Sequence, residues 1–94
     1  MSENIVAEAE AIAHAVVLEQ LGPDGLALVV LRVDHYTPRE GAEPLVSVRL
    51  APLQPGQPDW RGAAFLLRTA RTPAELAWAV REATRGALQQ LGLL

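Results

Sequence analysis

Few side chains in this sequence can hold a proton, a metal or an attacking electron pair. Cysteine is absent, which removes thiol nucleophiles, thiolate metal sites and any disulfide framework. The histidines are His14 and His35, and the serines are Ser2 and Ser47. Glu10 and His14 are spaced to share one face of a helix, and Glu3 falls on the same face two turns earlier. Zinc accepts such ligands, but its sites take three or four of them, so the pair is read as an ordinary helix-surface contact and no metal is expected. A hydrolase would use Ser47 as nucleophile, His35 as base and Asp34 or Asp59 as orienter, with adjacent strands bringing Ser47 near His35. Around Ser47 there is no glycine-flanked elbow and no oxyanion loop. The glycines, at 22, 25, 41, 56, 62, 86 and 92, follow neither a phosphate-loop nor a dinucleotide pattern. No cofactor is expected, and the reading leans away from an enzyme.

Trp78, Arg81 and Arg85 form a different constellation, spaced three and four apart on the side of a helix away from Leu76, Val80 and Ala83. An aromatic ring with two guanidiniums can receive an acidic or phosphate-bearing partner. The competing expectation places Trp78 against the first helix or under the proline-rich loop, with the arginines over its ring. Packing is the expected state in a chain with only four aromatics, Tyr36, Trp60, Phe65 and Trp78. All eight basic residues are arginine, and Ala and Leu dominate the apolar set, as in GC-rich bacterial coding. The net charge of −3 opposes generic nucleic-acid binding, and the few aromatics do not make a base-stacking platform.

These residues must be positioned by five elements. Ile5, Ala9, Ile12, Val16 and Leu21 recur at helical spacing and predict a helix over Ser2 to Leu21, with Ser2 as N-cap and Gly22-Pro23 as its stop. Pro23-Asp24-Gly25 is turn chemistry. Leu26 to Tyr36 alternates as a strand, with Ala27, Val29, Leu31 and Val33 on one face and Leu26, Leu28 and Val30 on the other before Arg32 and Asp34. A charged, proline-broken loop leads to a second strand, Leu45 to Leu50, with Val46, Val48 and Leu50 opposite Leu45, Ser47 and Arg49. After a second proline-rich loop a third strand is expected over Arg61 to Thr69. Thr72-Pro73-Ala74-Glu75 is a capping box that opens the last helix, whose stripe is Leu76, Val80, Ala83, Ala87 and Leu91, with Gly92 at its end.

The expected fold is α+β, in the order α-β-β-β-α: a three-stranded antiparallel meander packed against two helices, as one domain over residues 1–94. That order of elements resembles the double-stranded RNA-binding domain over most of the chain. In that family the last helix opens with a lysine-rich segment that grips phosphates across the major groove. The matching place here reads Arg71-Thr72-Pro73-Ala74-Glu75, which departs from that pattern with one arginine and one acid.

Ninety-four residues bury only roughly 60–65% of their unfolded surface, so the core is thin. With half the residues apolar and a fifth charged, the chain is expected to be a soluble cytoplasmic domain with no membrane segment and no signal peptide. If Val29, Leu31, Val46, Val48, Phe65 and Leu67 meet the helices, then Leu26, Leu28, Val30, Leu45, Ala64 and Leu66 make a second apolar face. Such a face marks an interface. The leading expectation is a non-enzymatic protein–protein interaction module, homodimeric through the sheet, with an unidentified protein partner. The alternative is an RNA- or phosphate-binding domain using the arginines of the last helix, which should show Arg68, Arg71, Arg81 and Arg85 on one exposed face, and a small enzyme around His35 and Ser47 comes third.

Overall fold

A computed structural model describes residues 5–66 and 72–94, with Phe65 and Leu66 as backbone only. Helix α1 spans Ile5–Leu26, strands β1, β2 and β3 span Val29–Tyr36, Leu45–Pro52 and Arg61–Leu66, and helix α2 spans Pro73–Gln90. The strands form one antiparallel sheet in the order β1-β2-β3. The α+β architecture expected from the sequence is the one observed. Ser2, Glu3, Leu67, Arg68, Thr69 and Arg71, to which the sequence assigned roles, lie outside the described residues.

The break expected after Leu21 is real, but the chain does not pass directly into a strand. Gly22 leaves helical geometry at φ 74° and ψ 179°. Pro23 then starts a further helical turn, as its fixed φ and missing N–H allow at a first helical position. The Ala27 and Leu28 amides close this turn on the carbonyls of Pro23 and Gly25. As a result Leu26 belongs to α1, and β1 starts at Val29 instead of Leu26. Strand β2 runs two residues beyond its expected end.

Alternation decides which sheet face is covered. Val33 pairs with Val48 and Leu31 with Leu50, and on this face Val33, Val46, Val48 and Leu50 are buried. Both helices pack there. Ile5, Ala9 and Ala13 of α1 meet Leu76, Val80 and Ala83 of α2 over Val33, Val46 and Val48. A second cluster of Val17, Leu50, Ala87 and Leu88 continues the core, flanked by Leu21, Leu26 and Leu91. The alanines keep the side chains small enough for the two helices to lie side by side.

Helix α2 is closed at both ends. The Thr72 hydroxyl accepts the Glu75 amide at 3.2 Å, with Pro73 in the first turn. At the other end Gly92, at φ 75°, lets its own amide and that of Leu93 return to the carbonyls of Gln89 and Leu88, a Schellman closure. Among the described residues no helix is long and apolar enough to cross a membrane.

Candidate functional site

Because both helices take one face, the other face of the sheet is open. Its residues follow from the register: Val30, Arg32, Asp34 and Tyr36 on β1, Leu45, Ser47, Arg49 and Ala51 on β2, and Gly62 and Ala64 on β3, with Ser47 and Ala51 buried between their neighbours on the central strand. The face has three zones. At one end the Leu53 amide donates to the Leu28 carbonyl, extending the ladder, and both side chains are largely exposed, at 58% for Leu28 and 66% for Leu53. Val30 is exposed beside them. In the centre the Asp34 carboxylate accepts from Arg32 Nε at 2.6 Å and from Arg49 Nη2 at 3.4 Å.

The third zone is a shallow cleft of about 400 Å³ between Tyr36 and Trp60, floored by Ser47, Gly62 and Ala64. The Arg49 guanidinium carbon lies 5.8 Å from the centre of the Trp60 ring, within cation–π range. Gly62 is required here: a Cβ on it would collide with the Val48 carbonyl and crowd the Arg49 Cα. The missing side chain lets β3 approach β2 closely and lowers the cleft floor beside Arg49.

Arg49 is under-satisfied. Its Nε is buried without a hydrogen-bond partner among the described residues. Such an N–H costs about 1–3 kcal/mol and is uncommon in folded proteins. The shared carboxylate does not neutralise both arginines, because Asp34 binds Arg32 closely and Arg49 only at long range. Two guanidiniums face one carboxylate on these two strands, so the open face carries local positive charge in a chain of net charge −3.

The residues singled out in the sequence fare differently. Of the six expected interface residues, Leu26 is not on the sheet and packs partly buried against the Val17–Leu50 cluster. Leu28 is exposed at the sheet end, Val30 and Ala64 are exposed on the open face, and Leu45 is half-buried. For Leu66 only the backbone position, opposite Leu45, is described. The expected second apolar face is therefore interrupted at its centre by Arg32, Asp34, Ser47 and Arg49.

His35 and Ser47 do not meet. His35 pairs with Val46 on the helix side, whereas Ser47 pairs with Asp34 on the open side. A single-residue offset puts side chains on opposite faces, and the expected shared neighbourhood is lost. Glu10 and His14 line a shallow depression with Ala7 and Ala11. Among the described residues no group of three or more His, Asp or Glu side chains is placed to hold a metal.

Trp78 is 68% exposed, so the expected packing against α1 or under the loop does not occur. Its neighbouring arginines are engaged elsewhere: Arg81 binds Glu19 of α1 at 3.1 Å, and Arg85 lies 3.8 Å from Glu82. The residues that sequence reasoning did not connect are Tyr36, Arg49 and Trp60. The available signal was their parity, since Tyr36 and Arg49 alternate on to the same face as Asp34 and Ser47. Comparison with protein-family models, curated proteins and solved structures finds no match to the chain.

Proposed function

We propose that this chain is a non-enzymatic protein-interaction module that works through the open face of its sheet. The observation that carries the reading is the packing of both helices on one face, which leaves Leu28, Val30, Tyr36 and Leu53 exposed on or beside the other. Exposed aliphatic residues grouped with a Tyr, a Trp and arginines have the composition of contact surfaces. Dispersed His, Ser and Asp side chains do not support a catalytic constellation. Phosphate or RNA binding through α2 has less support, because Arg81 and Arg85 already face glutamates.

Self-association through the same face is a second reading, favoured by one detail. Arg32 and Asp34 are two positions apart on one strand, so antiparallel stacking of two copies brings each arginine to the other copy's aspartate, as a two-fold contact requires. Against it, the face centre carries two guanidiniums per copy. A photo-crosslinking residue at position 30, compared with one at exposed Leu18 on α1, tests the module. Adducts formed in cells from position 30 and not from 18 are expected, and equal labelling from both would overturn the reading. Light scattering then assigns the partner: a mass near 20 kDa against the 10.1 kDa chain identifies a second copy.

A further inference from the structure

We infer that the cleft between Tyr36 and Trp60 is a carboxylate-binding site, and that the segment it takes is an acidic residue of a partner protein flanked by an apolar or aromatic one. The inference rests on the interaction reading above and names the chemistry of its partner.

The guanidinium of Arg49 has donors to spare. Of its N–H groups, one reaches Asp34 at 3.4 Å and Nε–H has no acceptor among the described residues. A carboxylate offers two oxygens in the plane of that fork. Arg49 lines the cleft, and a carboxylate bound there would offer its unpartnered Nε–H the acceptor it lacks. Ser47 lies on the floor beside it with a hydroxyl that can donate to the same anion.

The surroundings select for more than charge. Tyr36, about half exposed, and Trp60 flank the cleft and offer ring faces to an apolar neighbour of the acid. The small floor residues Gly62 and Ala64 leave that neighbour room. Arg32 is held by the Asp34 carboxylate at 2.6 Å, so it does not compete for the cleft, and the unbalanced positive charge there is that of Arg49. A polyanion is disfavoured by the net charge of −3, whereas a short acidic segment meets local positive charge on the open face.

The test uses the full chain with Trp78→Phe, which leaves Trp60 as the only indole and changes a residue outside the cleft. The probe is the acetylated, amidated tripeptide Glu-Phe-Glu, titrated while the arginine Nε–H resonances and Trp60 fluorescence are followed. Saturable shifts of the Arg49 Nε–H and of Trp60 are expected, with a dissociation constant below about 1 mM. The Gln-Phe-Gln counterpart should bind at least about tenfold more weakly. Arg49→Gln should lose the response, and Arg49→Lys should weaken it because a point charge lacks the planar fork. Each variant's circular dichroism checks that it is folded, and Trp60→Leu gives a second route, read on the Nε–H resonance alone.

Equal affinity for the Glu and Gln peptides, or undiminished binding by Arg49→Gln, would overturn the inference. Tighter binding of inorganic phosphate than of the peptide would also overturn it, by making this a phosphate site. If the peptide fails while crosslinks from position 30 persist, the carboxylate inference falls and the interaction module stands. If both fail, the module reading falls as well.

Discussion

The two faces of the sheet are made by the same strands and differ in almost everything else. On the helix side, Val33, Val46, Val48 and Leu50 are buried against α1 and α2. One residue along each strand, the open side alternates Val30, Arg32, Asp34 and Tyr36 against Ser47, Arg49 and Ala51. The first face holds the fold through burial, which scales with apolar area and asks little of geometry. The second presents directional groups whose pairing is incomplete. Strand parity alone thus puts the apolar core residues on one face of the sheet and Arg32, Asp34 and Arg49 on the other.

The largest expected effect comes from putting a charge on the covered face. Val48 is fully buried at the centre of the core, and Val48→Asp leaves a carboxylate there without a partner. A loss of about 3–5 kcal/mol is expected, against the about 5–15 kcal/mol typical of whole domains. The same change at exposed Val30 should shift stability by about 0.5 kcal/mol or less. Urea denaturation followed by circular dichroism measures both. Similar losses at the two sites would show that the open face is covered in the free protein.

How much of this contrast was legible in the sequence follows from the same parity. The alternation in Val46–Leu50 placed the apolar residues on one face and Ser47 and Arg49 on the other, and Thr72-Pro73 fixed the start of α2. Two things were not legible. The turn of helix from Pro23 to Leu26 looks like a strand entry in sequence, because Leu26 to Val33 is continuously apolar but for Arg32, and only tertiary burial of Leu26 decides its state. The register between β1 and β2 was also hidden, since the long loop from Thr37 to Pro44 does not pin it. Without that register Arg49 could not be placed beside Asp34, nor His35 opposite Val46 and away from Ser47.

Gly62 qualifies the contrast, because it is an open-face position that should not tolerate change. A Cβ there meets the β2 backbone, which cannot move aside as a side-chain tip would. Gly62→Ala is expected to cost about 1–3 kcal/mol, in the range of a strained backbone site. Gly86 in α2, with nothing near an added Cβ, is the control. Gly86→Ala should stabilise by about 0.5–1 kcal/mol, since glycine is a poor helix former. Thermal melts of the two variants should therefore move in opposite directions, and a neutral Gly62→Ala would mean that β3 does not approach β2 this closely.

The covered face also depends on the helix that covers it. Thr72 Oγ1 receives the Glu75 amide, so Thr72→Ala orphans a donor at the start of α2. The expected loss is about 0.5–2 kcal/mol, and Thr72→Ser should recover most of it. Because the cap belongs to the helix layer and not to the residues that line the cleft, the variant should leave peptide binding at the cleft unchanged. Denaturation and titration on one sample check the separation.

The smallest expected effect is the most informative about the open face. Asp34 holds Arg32 at 2.6 Å and Arg49 at 3.4 Å, and all three side chains are more than a third exposed. Solvent screening keeps such pairs at about 0.2–1 kcal/mol, so Asp34→Ala should barely shift a denaturation curve. A double-mutant cycle with Arg32→Ala isolates the closer pair, and a coupling inside that range is expected. Binding should respond in the other direction. Without the Asp34 carboxylate, Arg49 loses its acceptor among the described residues and Arg32 its counter-charge, which raises the positive potential of the face. Asp34→Ala should therefore tighten the Glu-Phe-Glu peptide severalfold while leaving Gln-Phe-Gln unaffected. A weaker grip on the acidic peptide would mean that Asp34 positions the guanidinium for its ligand more than it competes with it.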